Sequence, residues 1–409
     1  MKPRVFPVLA FMILTLIVTA CDLMGNRVTE SAPGAVSTAV ALTFQSLTPT
    51  DKPMTVTPEP ETTELLPHSL YFQATDNAGL MQIFRMEKDG KTIKQVTSEP
   101  VNVGNYGVSP VDGSVAYVVN NQLALVNADG TGRRLLVDGG AADESSLNHI
   151  TNPVFSLDGQ TLAYGYQGLN FYSLSSGVSE RVIEDKISDM GNGMLLPAEL
   201  YRPEKYSPDG SKLLVTISLW EGATAAIYDP ATKGLLRLQN NEGALICCDK
   251  MQWSADGTLI HSANPTMGMY GAGLWQVDPL TGEVSTLIAS GGDTPDTVVI
   301  NAANKPYLAP DGQLYYFFTT LNNSNVNIDR IPLQIVRAAP NGVARRTVIR
   351  EETFEMMNEA LWYPDASSVI VVYAPAQDVY EAGRAEIVYL DGRPNVELAP
   401  FVQQMEWGP

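Results

Sequence analysis

The residue types that do chemistry are sparse in this chain. It has three histidines, His68, His149 and His261, and three cysteines, Cys21, Cys247 and Cys248. A zinc site needs several such ligands brought together, and helical zinc sites show two histidines one turn apart. Here the histidines fall in separate stretches, with no H-x-x-x-H spacing and no cysteine in range. No G-x-S-x-G elbow is present to expose a serine nucleophile. Glu184 and Asp185 are adjacent carboxylates that could in principle serve as acid and base. Lying side by side near a strand end, they are expected to face water instead. Asp293 and Asp296 sit near glycine, but the D-x-D-x-D-G calcium loop is missing. The residues therefore predict no metal, no cofactor and no catalytic set. His261 falls in a strand, where a packed imidazole is expected. His149 falls in a long loop and is the histidine to test for binding.

Cys247 and Cys248 are neighbours, and disulfide geometry wants the two Cα atoms well apart. No C-x-x-C spacing supports a redox pair, so they read as two small residues at a strand edge. Cys21 is different. Lys2 and Arg4 form a positive start, and Val5 to Val18 is an apolar run broken by Pro7 and Thr15. That run is too short for an ordinary transmembrane helix and suits a signal-peptide core. Val18-Thr19-Ala20-Cys21 then resembles a bacterial lipobox. The resemblance implies cleavage after Ala20 and lipidation of Cys21, which would anchor an extracytoplasmic protein by its N-terminal lipid. Two or more acyl chains hold firmly where one binds reversibly. Asp22 resembles an inner-membrane retention signal of some bacteria.

Charge narrows the partners. With 26 Lys+Arg against 45 Asp+Glu, the net charge is −19, and removing Lys2 and Arg4 makes the remainder more acidic still. Such a surface repels phosphate backbones and anionic headgroups, which excludes nucleic acid and leaves attachment to a membrane to the lipid. The apolar content of 44% is ordinary for a globular protein.

Composition divides the chain into a signal peptide (1–20), a lipidated tether (21–66) and a folded body (67–409). In the tether Thr, Ser and Pro dominate, as in Thr57-Pro58-Glu59-Pro60, and no hydrophobic period survives to bury a core. From residue 67 short runs of Val, Ile, Leu, Tyr and Phe alternate with Gly, Asp, Asn and Pro turns, the pattern of many short strands.

These strands repeat. Tyr206-Ser207-Pro208-Asp209-Gly210-Ser211-Lys212-Leu213-Leu214-Val215 reads as strand, tight turn, strand. Related turns carry Asp112-Gly113, Asp158-Gly159, Asp256-Gly257 and Asp311-Gly312, with a degenerate copy at Pro364-Asp365-Ala366. They recur about every 46–55 residues. Three places before the Asp stands a large apolar residue: Phe155, Tyr206, Trp253, Leu308 and Trp362, with Val108 one place further back in the first copy. Trp407 is in phase with these, in a final strand that stops where its turn would begin. A second series of hairpins ends at Gly90, Gly130, Gly177, Gly234, Gly282, Gly342 and Gly392. The first hairpin lacks a leading strand, and the strand at Trp407 lacks a following hairpin. Both counts fit if strand 402–407 completes the sheet begun by Leu70-Tyr71-Phe72-Gln73. The expected fold is all-β, a seven-bladed β-propeller of four-stranded antiparallel blades, with six blades as the alternative, closed by the C-terminal strand on the N-terminal blade.

The spacing and the S-P-D-G turns resemble the WD40-like repeats of TolB-type propellers, over residues 69–409. A member of that family is expected outside the cytoplasm and bound to other proteins. A Thr/Ser/Pro-rich segment here takes the place of the N-terminal α/β domain of TolB, so TolB's own envelope role is not implied. In such a blade the strands run A to D outward. The A–B and C–D turns share one end, and the B–C and D–A connections share the other. Tight turns fill the first end. Long connections fall at the second: 138–151, 185–202, 239–249, 290–303 and 351–358, with 264–271, 321–331 and 375–384. Length beyond need points to function. Binding is expected there, through Tyr201, Trp220, Tyr270 and His149, with Met190, Met194, Met267, Met269 and Tyr380 as further contacts. Asn322, Asn323, Asn325 and Asn327 make a polar loop. The functional expectation is a monomeric, membrane-anchored, non-catalytic binding or scaffold module for a protein, peptide or glycan. The alternative is a propeller enzyme, a polysaccharide lyase or glycoside hydrolase, with acid–base residues in the channel mouth.

Overall fold

The computed structural model describes residues 64–409, except 142–145, 240–250, 266–271, 292, 295–296 and 324–329. Cys21, Cys247, Cys248, Met267, Met269, Tyr270 and most of the expected tether lie outside the described residues. The chain divides into two units, residues 1–59 and 60–409.

Among the described residues the second unit is all-β apart from one 3-10 turn at Ser146–Asn148. β1 (Leu70–Thr75), β2 (Met81–Met86) and β3 (Ile93–Gln95) pair in order as antiparallel neighbours. The next sheet is β4 (Tyr106–Val108), β5 (Val115–Val119), β6 (Gln122–Val126) and β7 (Arg134–Asp138). The third is β8 (Thr151–Phe155), β9 (Thr161–Gly165), β10 (Gly168–Ser173) and β11 (Ser179–Glu184). A five-stranded sheet follows: β12 (Lys186–Asp189), β13 (Leu195–Tyr206), β14 (Leu213–Ser218), β15 (Ala223–Asp229) and β16 (Gly234–Arg237). Then come β17 (Gln252–Trp253), β18 (Ile260–Asn264), β19 (Gly273–Val277) and β20 (Val284–Ile288). The second five-stranded sheet holds β21 (Asp293–Thr294), β22 (Thr297–Leu308), β23 (Leu314–Asn323), β24 (Gln334–Ala338) and β25 (Thr347–Val348). The chain finishes with β26 (Met357–Trp362), β27 (Ser368–Tyr373), β28 (Gly383–Tyr389) and β29 (Val396–Trp407).

β29 belongs to two pairings. Its first half lies against β28, with Val396 opposite Ile387 and Ala399 opposite Ala385. Its second half lies against β1, with Gln403 opposite Gln73 and Trp407 opposite Leu70. The last four strands and the first three therefore form one seven-stranded sheet.

Local chemistry explains the turns. In the β13–β14 turn the Gly210 N–H donates to the Ser207 carbonyl at 2.8 Å, and the Ser207 hydroxyl donates to Asp209 at 2.5 Å. The Lys212 N–H closes back on the Ser207 hydroxyl at 3.0 Å. The same lattice recurs at Ser156–Asp158 and Ser254–Asp256. The Ser207 hydroxyl, with the Ser211 N–H and hydroxyl, holds the Asp209 carboxyl down at about 2. The closing residue is left-handed each time, from Gly113 at φ +72° to Gly312 at +73°, and Ala366 takes the same position at +55° in the degenerate copy.

Each sheet buries both faces against its neighbours. Leu214, Ile227, Trp253 and Trp275 pack between two sheets, as do Phe317, Trp362, Val369 and Val388 between two others. The alternating strands supply side chains to both sides. Leu65 and Leu66, assigned to the tether by composition, pack on the body instead. Their N–H groups both donate to the Lys88 carbonyl, at 2.8 and 3.0 Å, and Leu66 is buried with Leu70 and Met86. The hydrophobic pair overrides the proline-rich run before it.

Among the described residues, no helix is long and apolar enough to cross a membrane. Two glycines separate backbone strain from crowding. Gly312 has open space where a Cβ would go, so Gly312→Ala is expected to cost only its φ, about 1 kcal/mol. At Gly107 a Cβ would stand 2.2 Å from the Pro153 carbonyl oxygen, in the neighbouring sheet. Gly107→Ala is expected to lose about 3 kcal/mol or more, because backbone must move. Urea unfolding of the two variants checks the ranking.

Candidate functional site

The first strand of each four-strand set faces the first strand of the next, and polar atoms tie them. Tyr106 on β4 donates to the Gln404 carbonyl on β29, and the Val108 N–H donates to Glu406 at 3.2 Å. Gly107 lets β4 approach Pro153 on β8. Asn152 on β8 donates to Glu204 on β13 at 3.3 Å, and the Trp253 indole donates to the Lys205 carbonyl at 3.3 Å. The Ala255 N–H, just after β17, donates to the Leu308 carbonyl on β22 at 3.0 Å. The Trp362 indole on β26 donates to the Lys305 carbonyl at 2.8 Å. The Met405 N–H on β29 donates to Glu359 on β26 at 2.7 Å, and the Trp407 indole donates to the Trp362 carbonyl at 3.0 Å. The tryptophans that stand three places before the turn Asp are thus ties between sheets.

These first strands are irregular where they carry polar groups. Register breaks fall at Thr151/Val154, Pro203/Lys205, Asn304/Tyr307 and Met357/Glu359. Asn152, Lys305 and Gln404 have φ of +50°, +48° and +52°. A bulge re-aims side chains and ends regular pairing, which is how an otherwise buried strand presents amide and charged groups. Tyr106 stands with Glu406 and Glu359. Burial, then the two carboxylates, push its hydroxyl well above the ordinary tyrosine range, so it stays a neutral donor.

Because neighbouring strands are antiparallel, alternate connections share an end of each sheet. At one end lie the short turns, including 109–114, 207–212 and 363–367, none longer than about eight residues. The chain arrives at this end, where Leu65 meets Lys88 and the Tyr363 hydroxyl donates to the Leu65 carbonyl at 2.8 Å. The other end carries 139–150, the β12–β13 hairpin, and the connections 265–272, 324–333, 349–356 and 374–382.

The β12–β13 hairpin replaces the loop expected over 185–202. Ile187 pairs with Pro197 and Asp189 with Leu195. Met190 and Met194 flank a turn in which Gly191, Asn192 and Gly193 are left-handed, and Asp189 accepts the Gly191 N–H at 2.8 Å. Its root is clamped by charge. Asp185 accepts the Tyr201 N–H at 2.7 Å and pairs with Arg202 at 3.2 Å, both side chains buried. Glu199 pairs with Lys186 at 2.7 Å and Arg237 at 2.8 Å, and accepts the Tyr201 hydroxyl at 2.5 Å. Burial pushes the Glu199 carboxyl up, but these partners win and hold it at about 2. Burial and the Glu199 charge raise the Tyr201 hydroxyl to about 12.

Tyr201 was expected to be a loop contact. It is a core residue of β13, 2% exposed, because the strand reaches further back than its apolar pattern suggested. Asp185, expected in water, is buried with Arg202 for the same reason. Trp220 is 59% exposed in the β14–β15 turn, in the same sheet as the hairpin. Met190 and Met194 are exposed at its tip. Tyr380 is exposed in the β27–β28 connection, with the Arg330 guanidinium 4.6 Å from its ring centre. Arg330 also donates to the Gln377 carbonyl at 3.2 Å and to Asn358 at 2.9 Å, so this connection is pinned. His149 is half-buried beside the 3-10 turn, in a third sheet's approach. The hairpin and Trp220 belong to one sheet, beyond the same end of it; His149 and Tyr380 belong to others. The Arg330 anchor and the inner-strand ties were missed by sequence reasoning. Among the described residues no group of three His, Cys, Asp or Glu side chains draws together as metal ligands.

No protein-family profile matches the sequence, and no curated protein matches it. Solved structures do match. An oligogalacturonate lyase in complex with manganese aligns at 10% identity and a TM-score of 0.52, over 82% of this chain and 86% of that one. TolB from Acinetobacter baumannii aligns at 14% identity and 0.41, over 80% and 79%. The oligogalacturonate lyase from Vibrio parahaemolyticus aligns at 10% and 0.48, over 81% and 85%. Lyase and TolB are β-propeller proteins. The likeness to the manganese-bound lyase and the four-stranded antiparallel sheets make this body a β-propeller.

His261 supplies a pH test. It is 1% exposed on β18, and neither ring nitrogen has a partner among the described residues. Burial lowers its pKa from 6.5 to about 4. The unfolded chain then binds the proton first, so stability falls as pH drops from about 6.5 towards 4, by about 3 kcal/mol for this group. His261→Leu is expected to remove that part of the acid sensitivity, read as the difference between wild-type and variant urea midpoints at pH 7 and pH 4.5.

Proposed function

We propose that this chain is a lipid-tethered, extracytoplasmic binding module: a seven-bladed propeller, closed by β29 on β1, that presents its end of long connections to a protein, peptide or glycan. The observation that carries the reading is the segregation of its two ends. Short turns and the arriving chain occupy one, while the hairpin, the pinned Tyr380 connection and the His149 approach occupy the other. The chain joins the body at its plain end and leaves the elaborated one free to engage. Cys21 would carry the lipid, and residues 22–63 would act as spacer, spanning about 35 Å as a coil. Seven sets of four strands, with ties between consecutive first strands all the way from β4 round to β29 and back, support the blade number and the closure.

A second reading, an enzyme acting on polysaccharide, draws on Tyr106, Glu359 and Glu406 lying together on inner strands. Each of these groups already serves a backbone partner across a sheet boundary. That structural employment favours binding over acid–base work.

Two experiments test the proposal. Deleting residues 402–409 removes the strand against β1, with buried Val402 and Met405, and is expected to cost about 4 kcal/mol or more. Melting like the full chain would refute closure. In membranes, a photocrosslinker at Tyr380 or His149 is expected to capture a partner that the same group at Lys91 or Val343, on the short-turn end, does not. Equal capture from both ends would refute the binding end. Turnover of acidic or neutral glycans that Glu406→Gln abolishes would establish the second reading.

A further inference from the structure

Four exposed apolar side chains of the long-connection end lie on one projection. Met190 is 63% exposed, Met194 53%, Leu195 52% and Ile187 40%, with Trp220 at 59% in the neighbouring turn. Residues directly opposite in a hairpin point to the same face. Ile187, Leu195 and Pro197 therefore share one face of the β12–β13 hairpin. Leu196 lies on the other, which Met190 and Met194 continue at the turn. From Met190 to Ala198 the chain carries no charge, in a protein of net charge −19. β13 runs beside β14, Leu200 opposite Ser218, so Trp220 stands beyond the same sheet edge as the hairpin.

Apolar groups on both faces and at the tip need a medium that surrounds them. We propose that the hairpin tip, Met190 to Leu196, together with Trp220, is a wedge that enters the interfacial region of an uncharged lipid bilayer. A fluid apolar phase closes around a convex shape without complementarity, and tryptophan favours the level of the headgroups. Lys186 and Glu199 mark the waterline, since their ion pair sits at the root, and Asp189, opposite Leu195, holds that side of the hairpin at the level of the headgroups. The acidic body restricts the choice of surface, because anionic headgroups repel it. The wedge also stands on rigid ground: the buried Asp185–Arg202 pair and the Glu199–Arg237 pair fix the hairpin to the sheet. This inference goes beyond the binding module and does not need its partner. It orients the body, bringing the elaborated end to the membrane.

Tryptophan emission tests it. The chain has five tryptophans, and Trp253, Trp275 and Trp362 are buried while Trp407 is half-buried under Tyr363. Trp220 is the exposed one, and its signal is the difference between the full chain and Trp220→Phe. The purified full chain is mixed with phosphatidylcholine vesicles containing brominated phosphatidylcholine. The Trp220 signal is expected to shift to the blue and be quenched about twofold or more. Met190→Ser with Leu195→Ser is expected to abolish the quenching with an unchanged melting temperature, both side chains being exposed. Adding phosphatidylglycerol is expected to weaken it. An unshifted Trp220 signal while the chain floats with the vesicles overturns the wedge and leaves the lipid tether standing. Quenching that survives the double serine variant, or a partner protein that shields Trp220 equally with and without vesicles, also overturns it. Loss of partner crosslinking with quenching intact refutes the binding module alone.

Discussion

The body depends on one strand being shared. β29 satisfies the backbone groups of β28 along its first half and those of β1 along its second. Without it, β1 would present an unpaired edge and β28 would present another, the arrangement that invites association between chains. The same strand then ties sideways. Its Gln404 carbonyl accepts from Tyr106, its Glu406 accepts from Val108, and its Met405 N–H reaches Glu359. One stretch of backbone thereby touches three successive sets of strands. Such long-range pairing costs loop-closure entropy before it returns any contact, so it is expected to form late in folding.

Sheet-to-sheet ties account for the distribution of chemistry in the molecule. Carboxylates and hydroxyls that would look catalytic on a sequence are engaged at boundaries, as Tyr117 with Glu99 and Arg133 are at another. Burial tends to raise the Glu99 carboxyl, yet Arg133 and Tyr117 lower it overall, so it stays ionised as a joint. The polar groups of the inner strands follow the same logic. They lie beside bulges, and partners across the sheet boundary engage them.

The repeated turns were legible because each is a local device. Pro, Asp and Gly fix a conformation within four residues, and the serine lattice at Ser207 and Asp209 needs nothing from elsewhere. The aromatic before each turn was legible as a position but not as a job, since the Trp253 and Trp362 acceptors lie in other sheets. The first-with-last pairing could be read from the missing strand of one hairpin. The β12–β13 hairpin could not, because Gly191-Asn192-Gly193 reads as loop while its strands are held by Asp185 and Glu199 across the sheet. Tyr201 was misplaced for the same reason. Leu65 and Leu66 were misassigned because two leucines cannot change the composition of a Thr- and Pro-rich stretch. The apolar tip was visible only in part: Met190, Met194 and Trp220 could be named, but that they stand beyond the same end of one sheet is a fact of register.

The place where the chain joins the body has a mechanical side. β1 begins at the short-turn end, a few residues after the Leu65–Lys88 and Tyr363–Leu65 hydrogen bonds. Tension applied ahead of Glu64 meets that clasp first, and then runs along the axis of β1. There it loads the hydrogen bonds to β2 and β29 side by side, in shear, so that they must yield together and not one after another. A body pulled by its leader in this direction resists like a lap joint, and it would yield far sooner if the same force peeled β29 away from its free end.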